Sequence, residues 1–302
     1  MTDTTTHLVL NSGDKLPQLG LGLWKTPSNV CAEVVYNAIK NGYRLLDAAC
    51  DYGNEDKTGE GIKRALDEGI VQREDLFVAS KLWNTFHRPE HVKLACLKSM
   101  ADLGVDYLDL YLIHFPIAQP FVPIDKMYPP EWVNFDDTIN GGVPKMLIDD
   151  GVTYQQTYQA MEALVREGLV RNIGFCNVGT TTIRQVLSYA TIRPAVLQVE
   201  MHPYLTQEKL LRMARENQIQ VMAFSNFGSA SYVEIGMAKE EESILSLPVV
   251  QEIATAHGKT PAQILLRFAV QRGTVAIPKS SQVERLIENI SVFDFNLSPA
   301  EM

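Results

Sequence analysis

The chain has 302 residues, of which 46% are hydrophobic and 21% are charged, and this composition is ordinary for a globular protein. A formal net charge of −9 argues against a nucleic-acid-binding surface or a polybasic membrane patch. No window approaches the ~18 apolar residues of a membrane span, and the N-terminus lacks the basic and apolar regions of a signal peptide. We therefore expect a cytosolic protein with neither nucleic-acid nor membrane partners.

Taken in chain order, residues 7–17 have the pattern of a hairpin with a Gly-Asp turn, placed to plug one end of the fold. Apolar strand-like runs then alternate with helical patterns. The strands are expected at 16–24, 44–49, 76–83, 108–115, 170–177, 195–202, 220–227 and 274–280. Helices are expected at 32–42, 91–104, 154–168 and 208–218, and several of these patterns end at Gly, as a left-handed C-cap requires.

Apolar strands that alternate with amphipathic helices indicate parallel strands covered on both faces. Eight such units predict a (β/α)8 TIM barrel, and a single domain spanning 1–302 suits a barrel of ~250 residues with added loops. Two long segments interrupt the alternation of strand and helix patterns. They are residues 116–152 after the fourth barrel strand and residues 228–247 after the seventh. Both belong to the catalytic face, where loops of this length are usually functional.

Asp47, Tyr52, Lys81 and His114 lie at or just after three successive strands, about one βα unit of ~30 residues apart. Because the exits of parallel barrel strands converge, these titratable groups are expected to form a catalytic cluster. Taken one at a time, the Tyr is more often a packing residue and an Asp–Lys pair is more often structural. Their joint placement favours catalysis.

The other histidines are not accompanied by titratable residues at strand ends in this way. We therefore expect surface or core roles for His7, His87, His91, His202 and His257. The four cysteines show no C-x-x-C spacing, which argues against both a zinc site and a disulfide framework. Clustered His and carboxylate ligands at strand ends are also missing, so a metal-dependent barrel hydrolase is disfavoured.

No G-x-G-x-x-G motif follows a strand, so a Rossmann site is unsupported. Instead, IPKSS (277–281) leads into QVERLIENI (282–290), a strand that feeds a helix N-terminus, where backbone N–H groups favour phosphate. Barrels commonly bind phosphate after strands seven and eight. Lys279 and Arg285 add positive charge there, although Arg285 could instead pair with Glu284 or Glu288 on a solvated face.

The chain resembles the aldo-keto reductases, and among them the xylose reductases, over almost its whole length. The matching segments are GLGLWK (20–25), DAACDYGNE (47–55), SKLWN (80–84), LIHFP (112–116), FVPIDKMYPP (121–130), LQVEMHPYL (197–205) and IPKSS (277–281). The resemblance implies reduction of an aldose or aldehyde carbonyl with NADPH, and with NADH as a second coenzyme. D-xylose is the first choice of substrate, with a sugar phosphate or a general aldehyde behind it. We expect a monomer or a homodimer.

This resemblance implies that Tyr52 donates the proton, that Lys81 and Asp47 adjust the acidity of Tyr52, and that His114 orients the substrate carbonyl. The chemistry agrees, because the alkoxide that develops during hydride transfer needs a proton donor within hydrogen-bond reach. An unperturbed Tyr has a pKa of ~10, and a nearby ammonium is expected to lower it. Asp47 should neutralise that buried ammonium, and neutral His114 can donate to the carbonyl oxygen as an oxyanion-hole group does.

The resemblance also assigns the remaining binding residues. Coenzyme contacts are implied for Cys176, Asn177, Gln198, Phe224, Ser225, Phe227, Glu234, Lys279, Ser280, Ser281 and Arg285. Within this set, Asn177 and Gln198 would hold the nicotinamide carboxamide, and Glu234 would lie near the adenosine ribose. Lys279, Ser280, Ser281 and Arg285 would bind the 2′-phosphate.

Three positions depart from the family pattern. Cys176 replaces a Ser that contacts the carboxamide, and Phe224 replaces a Tyr but keeps the ring face for stacking. Ser281 replaces an Asn of many xylose reductases, which leaves the preference between NADP and NAD open. The family's C-terminal tail, which closes the substrate pocket, does not appear before the sequence ends at Met302. We therefore expect an open pocket with a high KM for xylose.

Substrate contacts are expected from apolar walls with a few placed polar groups, which suit a small polyol or aldose. They are Trp24, Asp51, Trp83, Asn84, His114 and Phe115. Asp51 could accept a hydrogen bond from a sugar hydroxyl, or it could be a solvated loop charge. A different class of function also stays open: a barrel of this family can bind coenzyme as a non-catalytic regulatory subunit, although the complete quartet argues against that role.

Overall fold

The computed structural model describes residues 6–132 and 146–302, without the side chains of residues 230, 231 and 234. Two short antiparallel strands, β1 (His7–Val9) and β2 (Lys15–Pro17), form a hairpin. Eight parallel strands then form one sheet in chain order. They are β3 (Leu21–Gly22), β4 (Leu45–Asp47), β5 (Phe77–Leu82), β6 (Leu108–Ile113), β7 (Val170–Cys176), β8 (Val196–Glu200), β9 (Gln220–Phe224) and β10 (Val275–Ala276). The eight predicted strands are confirmed, each shorter than its apolar run.

The sheet closes on itself at its two outer strands. A parallel bridge joins Leu19 to Ala276, and the backbone N–H of Gly22 donates to the oxygen of Pro278 at 3.0 Å. The backbones approach so closely here that a Cβ atom at Gly22 would lie 2.6 Å from the oxygen of Ile277. Glycine therefore permits the seam, and the predicted barrel is confirmed.

Helices follow the strands as the sequence predicted. The described ranges contain α1 (Ser28–Lys40), α2 (Glu55–Asp67), α3 (Pro89–Leu103), α4 (Tyr154–Arg166), α5 (Thr180–Tyr189), α6 (Glu208–Glu216), α7 (Pro248–His257), α8 (Pro261–Gln271) and α9 (Val283–Ile290). Local chemistry fixes several ends. The Thr153 side chain accepts from the backbone N–H of Gln156 and starts α4. Gly104, at φ 65°, ends α3 in the left-handed conformation.

The hairpin covers the N-terminal end of the barrel, as predicted. Its Leu10 and Leu16 belong to the same buried apolar cluster as barrel-strand residues such as Leu45 and Leu110. The amide of Asn172, in β7, donates to the carboxylate of Asp14 in the hairpin turn at 2.7 Å. The opposite end of the barrel, at the strand carboxyl ends, is left for the site.

Both predicted long loops lie at that C-terminal end. After β6 the described residues 116–132 and 146–152 contain no helix or strand, and residues 133–145 lie outside the described part of the chain. After β9 the chain makes short 3-10 turns before α7. These are Gly228–Ser231, Val233–Ile235, Glu240–Glu242 and Ile244–Ser246.

Candidate active site

Lys81 is a fully buried lysine that lies between Asp47 and Tyr52. Its Nζ lies 2.9 Å from Oδ2 of Asp47, 2.9 Å from the backbone oxygen of Ala48 and 3.0 Å from Oη of Tyr52. An ammonium has three N–H donors and no acceptor, so these contacts use all three. Because Lys81 donates to Oη, the Tyr52 hydroxyl proton points elsewhere, and Tyr52 lines a large cavity.

The strands explain why these residues meet. Asp47 ends β4 and pairs with Ala79 of β5, and Lys81 is two residues further along β5, on the same face of the sheet. Tyr52 ends a 3-10 helix, Cys50–Tyr52, that directly follows β4. Gly53, at φ 68°, then turns the chain towards α2 in a conformation that favours glycine.

Electrostatics keep this trio in a defined protonation state. Burial alone would lower the pKa of Lys81, but the neighbouring acidic groups, the Asp47 carboxylate foremost among them, together outweigh burial and raise the pKa, so Lys81 stays charged. Burial raises the pKa of Tyr52 and the Lys81 ammonium opposes the rise, with a net increase. The expected lowering by Lys81 is therefore present as one contribution, but the expected net lowering is wrong because burial is larger. Tyr52 accordingly holds its proton at neutral pH.

His114 lies opposite Tyr52 across the cavity floor. Its ring stands edge-on to that of Tyr52, with the centroids 5.9 Å apart, and stacks on Phe115 at 4.8 Å. Nδ1 lies 3.0 Å from Oδ1 of Asp51, but the two atoms are not aligned for a hydrogen bond. The described hydrogen bonds leave Nε2 unpartnered, so this ring nitrogen is available to a ligand in the cavity.

One cavity of about 1430 Å³ brings most of the predicted residues together. This exceeds the ~300–1,000 Å³ of an ordinary small-molecule pocket. The predicted residues that line it are Trp24, Asp47, Asp51, Tyr52, His114, Phe115, Asn177, Gln198, Phe224, Ser225, Phe227, Lys279, Ser280 and Arg285. The candidate catalytic residues and the candidate phosphate-binding residues therefore share one continuous space.

Other predicted residues lie elsewhere. Cys176 is fully buried in the apolar interior of the barrel and does not line the cavity, so its expected carboxamide contact lacks structural support. The side chain of Asn84 is buried and does not line the cavity, and Ser281 is exposed and does not line it either. The contacts expected of these two residues therefore also lack structural support. Trp83 is buried behind the pocket, edge-on to His114 at 5.3 Å. The side chain of Glu234 lies outside what the structure describes.

Lys279 and Arg285 place positive charge at one end of the cavity, which is the candidate phosphate-binding end. In the described ranges neither Lys279 nor Arg285 makes an ion pair, and Glu288 instead accepts a hydrogen bond from Oγ1 of Thr260 at 2.6 Å. The alternative in which Arg285 pairs with Glu284 or Glu288 is therefore not observed. The Ser280 hydroxyl is 3.2 Å from the backbone N–H of Gln282, from which it accepts just before α9.

The centre of the cavity has amides placed for a polar ligand. Asn177 adopts φ 57°, and its Nδ2 donates to the backbone oxygen of His114 at 2.8 Å. Nε2 of Gln198 donates to Oδ1 of Asp47 at 2.7 Å. Asn226, 3% exposed, lines the cavity with both amide atoms unpartnered. A buried amide without partners is costly, so this position is suited to a polar group of a ligand.

Several lining residues were not predicted. They include Trp132, Glu200, Gln207, Tyr232, Thr260 and Asn289. Trp132 lies in the 116–152 loop, which was predicted only as a whole to be functional. Its ring is 4.9 Å from that of Trp83 and 4.7 Å from that of Phe115, edge-on to both. Asn289 lies in the helix that supplies Arg285, where helical spacing is the signal that points to it.

Residues 6–132 and 146–302 contain no group of three or more His, Cys, Asp or Glu residues that could hold a metal ion. They also contain no helix that is both long and apolar enough to cross a membrane.

Comparison with known proteins agrees with this geometry. A probable NAD(P)H-dependent D-xylose reductase of Emericella nidulans is 47% identical over 97% of this chain and 90% of its own length. An NADPH-dependent D-xylose reductase of Candida boidinii is also 47% identical, over 98% of this chain and 90% of its own. The solved structure of a Bombyx mori aldo-keto reductase in complex with NADP is 36% identical, with a TM-score of 0.84 over 98% of this chain and 90% of that one.

The model of the Aldo/keto reductase family matches residues 18–302. That match spans the barrel, the Asp47–Lys81–Tyr52 trio and the basic end of the cavity. The chain is therefore an oxidoreductase that belongs to the aldo-keto reductase family.

Proposed function

We propose that this enzyme reduces the carbonyl of an aldose to an alcohol with NADPH, with D-xylose to xylitol as the first choice. The observation that carries the proposal is the use of all three Lys81 donors. It leaves the Tyr52 proton free to face the cavity. A phenol held this way beside a protonated lysine is suited to protonate a developing alkoxide.

The cavity suits a dinucleotide phosphate. Its volume of about 1430 Å³ leaves room for a coenzyme and a small substrate together. Lys279 and Arg285, without carboxylate partners in the described ranges, would hold the ribose phosphate. Asn177 and the unpartnered Asn226 would meet polar groups of the coenzyme, and the ring of Phe224 would stack on the nicotinamide. The Bombyx mori relative is solved with NADP, which supports the same assignment.

The chain's own residues would carry the proton and orient the carbonyl. NADPH, when bound, supplies the hydride that goes to the carbonyl carbon. His114 would donate from Nε2 to the carbonyl oxygen and hold it beside Oη of Tyr52. Tyr52 would transfer its proton to that oxygen as the C–O double bond becomes single. Lys81 would stabilise the resulting phenolate, and Asp47 would balance the charge of Lys81.

The walls of the substrate end suit a small polyol. Trp24, Phe115 and Trp132 supply apolar faces, and the largely buried carboxylate of Asp51 lies beside His114. A carboxylate there can accept a hydrogen bond from a hydroxyl next to the reacting carbonyl. Relatives named as D-xylose reductases support an open-chain pentose ahead of a sugar phosphate or an unsubstituted aldehyde.

Absorbance at the nicotinamide band tests the proposal. The purified protein would be assayed with NADPH or NADH against aldoses, aldose phosphates and aromatic aldehydes. We expect oxidation of NADPH that depends on xylose, with slower but measurable use of NADH. Coenzyme binding without turnover of any carbonyl would contradict the proposal and support a coenzyme-sensing subunit instead.

A further inference from the structure

We propose that Gln198 is a positioning residue for the proton donor, because it ties the coenzyme end of the cavity to the Asp47–Lys81–Tyr52 trio. This inference rests on the proposed reductase function and adds a second role to the expected carboxamide contact. The series of contacts runs from Gln198 to Asp47, from Asp47 to Lys81 and from Lys81 to Tyr52. It joins β8, β4, β5 and the turn after β4.

The contacts divide the Asp47 carboxylate between two donors. Oδ1 accepts from Nε2 of Gln198 at 2.7 Å, and Oδ2 accepts from Nζ of Lys81 at 2.9 Å. Asp47 is 2% exposed and Gln198 is 3% exposed, so water cannot readily replace either donor.

The chemistry of the partners fixes the orientation of the Gln198 amide. A carboxylate that is paired with an ammonium is ionised and can only accept, so Nε2 must face Asp47. The thioether of Met222 lies 2.9 Å from the same Nε2 and can act as a weak acceptor. The described hydrogen bonds leave Oε1 unpartnered, and Gln198 lines the cavity. Oε1 is thereby presented to an amide donor such as a carboxamide NH₂.

The consequence for Tyr52 is electrostatic. The groups that face Tyr52 are Lys81, Asp47, Asp51 and His114, and the Cys176 thiol lies near Lys81 and Asp47. The Gln198 N–H partly satisfies the Asp47 charge. Without it, Asp47 would draw the Lys81 ammonium more strongly and would present more negative potential to Tyr52. The phenolate would be less stable, and the pKa of Tyr52 would rise.

The test replaces the amide while keeping its bulk. In Gln198→Leu we expect the apparent pKa for alcohol oxidation, in which Tyr52 acts as the base, to move upward by on the order of one unit. Met222→Leu touches the same amide from the other side and is the packing control, with no expected shift. Gln198→Glu places a second carboxylate beside Asp47, so we expect it to raise the pKa further.

A readout without coenzyme separates the two roles of Gln198. A fluorinated tyrosine of lower intrinsic pKa at position 52 would be titrated by ¹⁹F NMR in the free protein, with and without Gln198→Leu. We expect the same upward shift there. Weaker NADPH binding in Gln198→Leu with an unmoved pKa in both experiments would reduce Gln198 to a coenzyme contact and overturn the proposal. The ¹⁹F titration keeps its meaning if the protein proves to have no reductase activity, so the two failures are distinguishable.

Discussion

The hydroxyl oxygen of Tyr52 lies 3.0 Å from Nζ of Lys81, although 29 positions separate the two residues in the chain. At this distance the charge of Lys81 also acts on the pKa of Tyr52. In the proposed reaction Lys81 would stabilise the phenolate that remains after proton transfer, while burial raises the pKa of Tyr52 and keeps the phenol protonated beforehand.

Lys81→Met should lower turnover strongly, because it removes both the charge and the hydrogen bond by which Lys81 opposes the burial-driven rise in the pKa of Tyr52. It should also destabilise the protein by roughly 3–5 kcal/mol, since Asp47 would be left buried without its cation. Steady-state kinetics and denaturant unfolding would measure the two effects. Lys63→Met, at a largely exposed surface lysine, is the control. Turnover in Lys81→Met equal to that of this control would show that Lys81 is only structural.

Arg285→Ala should weaken NADPH binding by about 1.5–3 kcal/mol and leave NADH binding nearly unchanged, because only NADPH carries the additional phosphate. Quenching of protein fluorescence would give the Kd for each coenzyme. Arg212→Ala removes an exposed arginine that pairs with Glu216 and controls for net charge. Equal weakening of both coenzymes would assign Arg285 a structural role.

Asp51→Ala should lower kcat/KM for xylose by more than about tenfold, a loss of ~1.4 kcal/mol. An unsubstituted aromatic aldehyde has no hydroxyl beside its carbonyl, so its turnover should change much less. Asp56→Ala, at an exposed residue in the first turn of α2, is the matched control. A parallel loss with both substrates would indicate instead that Asp51 positions His114, whose Nδ1 it approaches.

Glu55 makes stability depend on pH in a defined direction. Burial raises its pKa to about 7, opposed by hydrogen bonds from Ser80 and Ser99. A carboxyl whose pKa is raised on folding contributes stability that is complete below its unfolded pKa of about 4.5 and is lost as the pH rises through about 7. The loss for this group is roughly 3 kcal/mol. Urea unfolding at about pH 5 and about pH 9 would measure it.

Glu55→Gln should flatten this pH dependence. The matched control is Glu60→Gln, at an exposed position on the same helix, which should keep it. An identical pH dependence of the free energy of unfolding in the wild type and in Glu55→Gln would show that Glu55 is ionised in the folded protein throughout this range.

The barrel and the clustering of Asp47, Tyr52, Lys81 and His114 could be predicted from the sequence because both depend on local order. Apolar runs alternate with helical patterns, and polar residues at strand exits recur with the βα period. The Gly-Asp turn marks the hairpin that covers the barrel end in the same local way. Strand lengths were overestimated because the apolar runs continue past the last ladder hydrogen bond, as in 220–227, where β9 ends at Phe224.

Other features depend on distances that sequence does not contain. Cys176 faces the barrel interior while Asn177, one residue later, lines the cavity, and only the actual register decides which side chain turns inward. The bond between Gln198 and Asp47 joins residues 151 positions apart on strands that are not neighbours. The net rise in the pKa of Tyr52 was not predicted, because it depends on how deeply the residue is buried as well as on the neighbouring charge that the sequence reveals.

Tyr52→Phe tests the central claim most directly, because it removes one oxygen and keeps the ring. Turnover of xylose with NADPH would be measured beside the Kd for NADPH. If Tyr52 donates the proton, turnover should fall by at least ~10²–10⁴-fold while the Kd stays close to that of the wild type, since the hydroxyl acts in the chemical step. Near-normal turnover in Tyr52→Phe would contradict the assignment of Tyr52 as the proton donor.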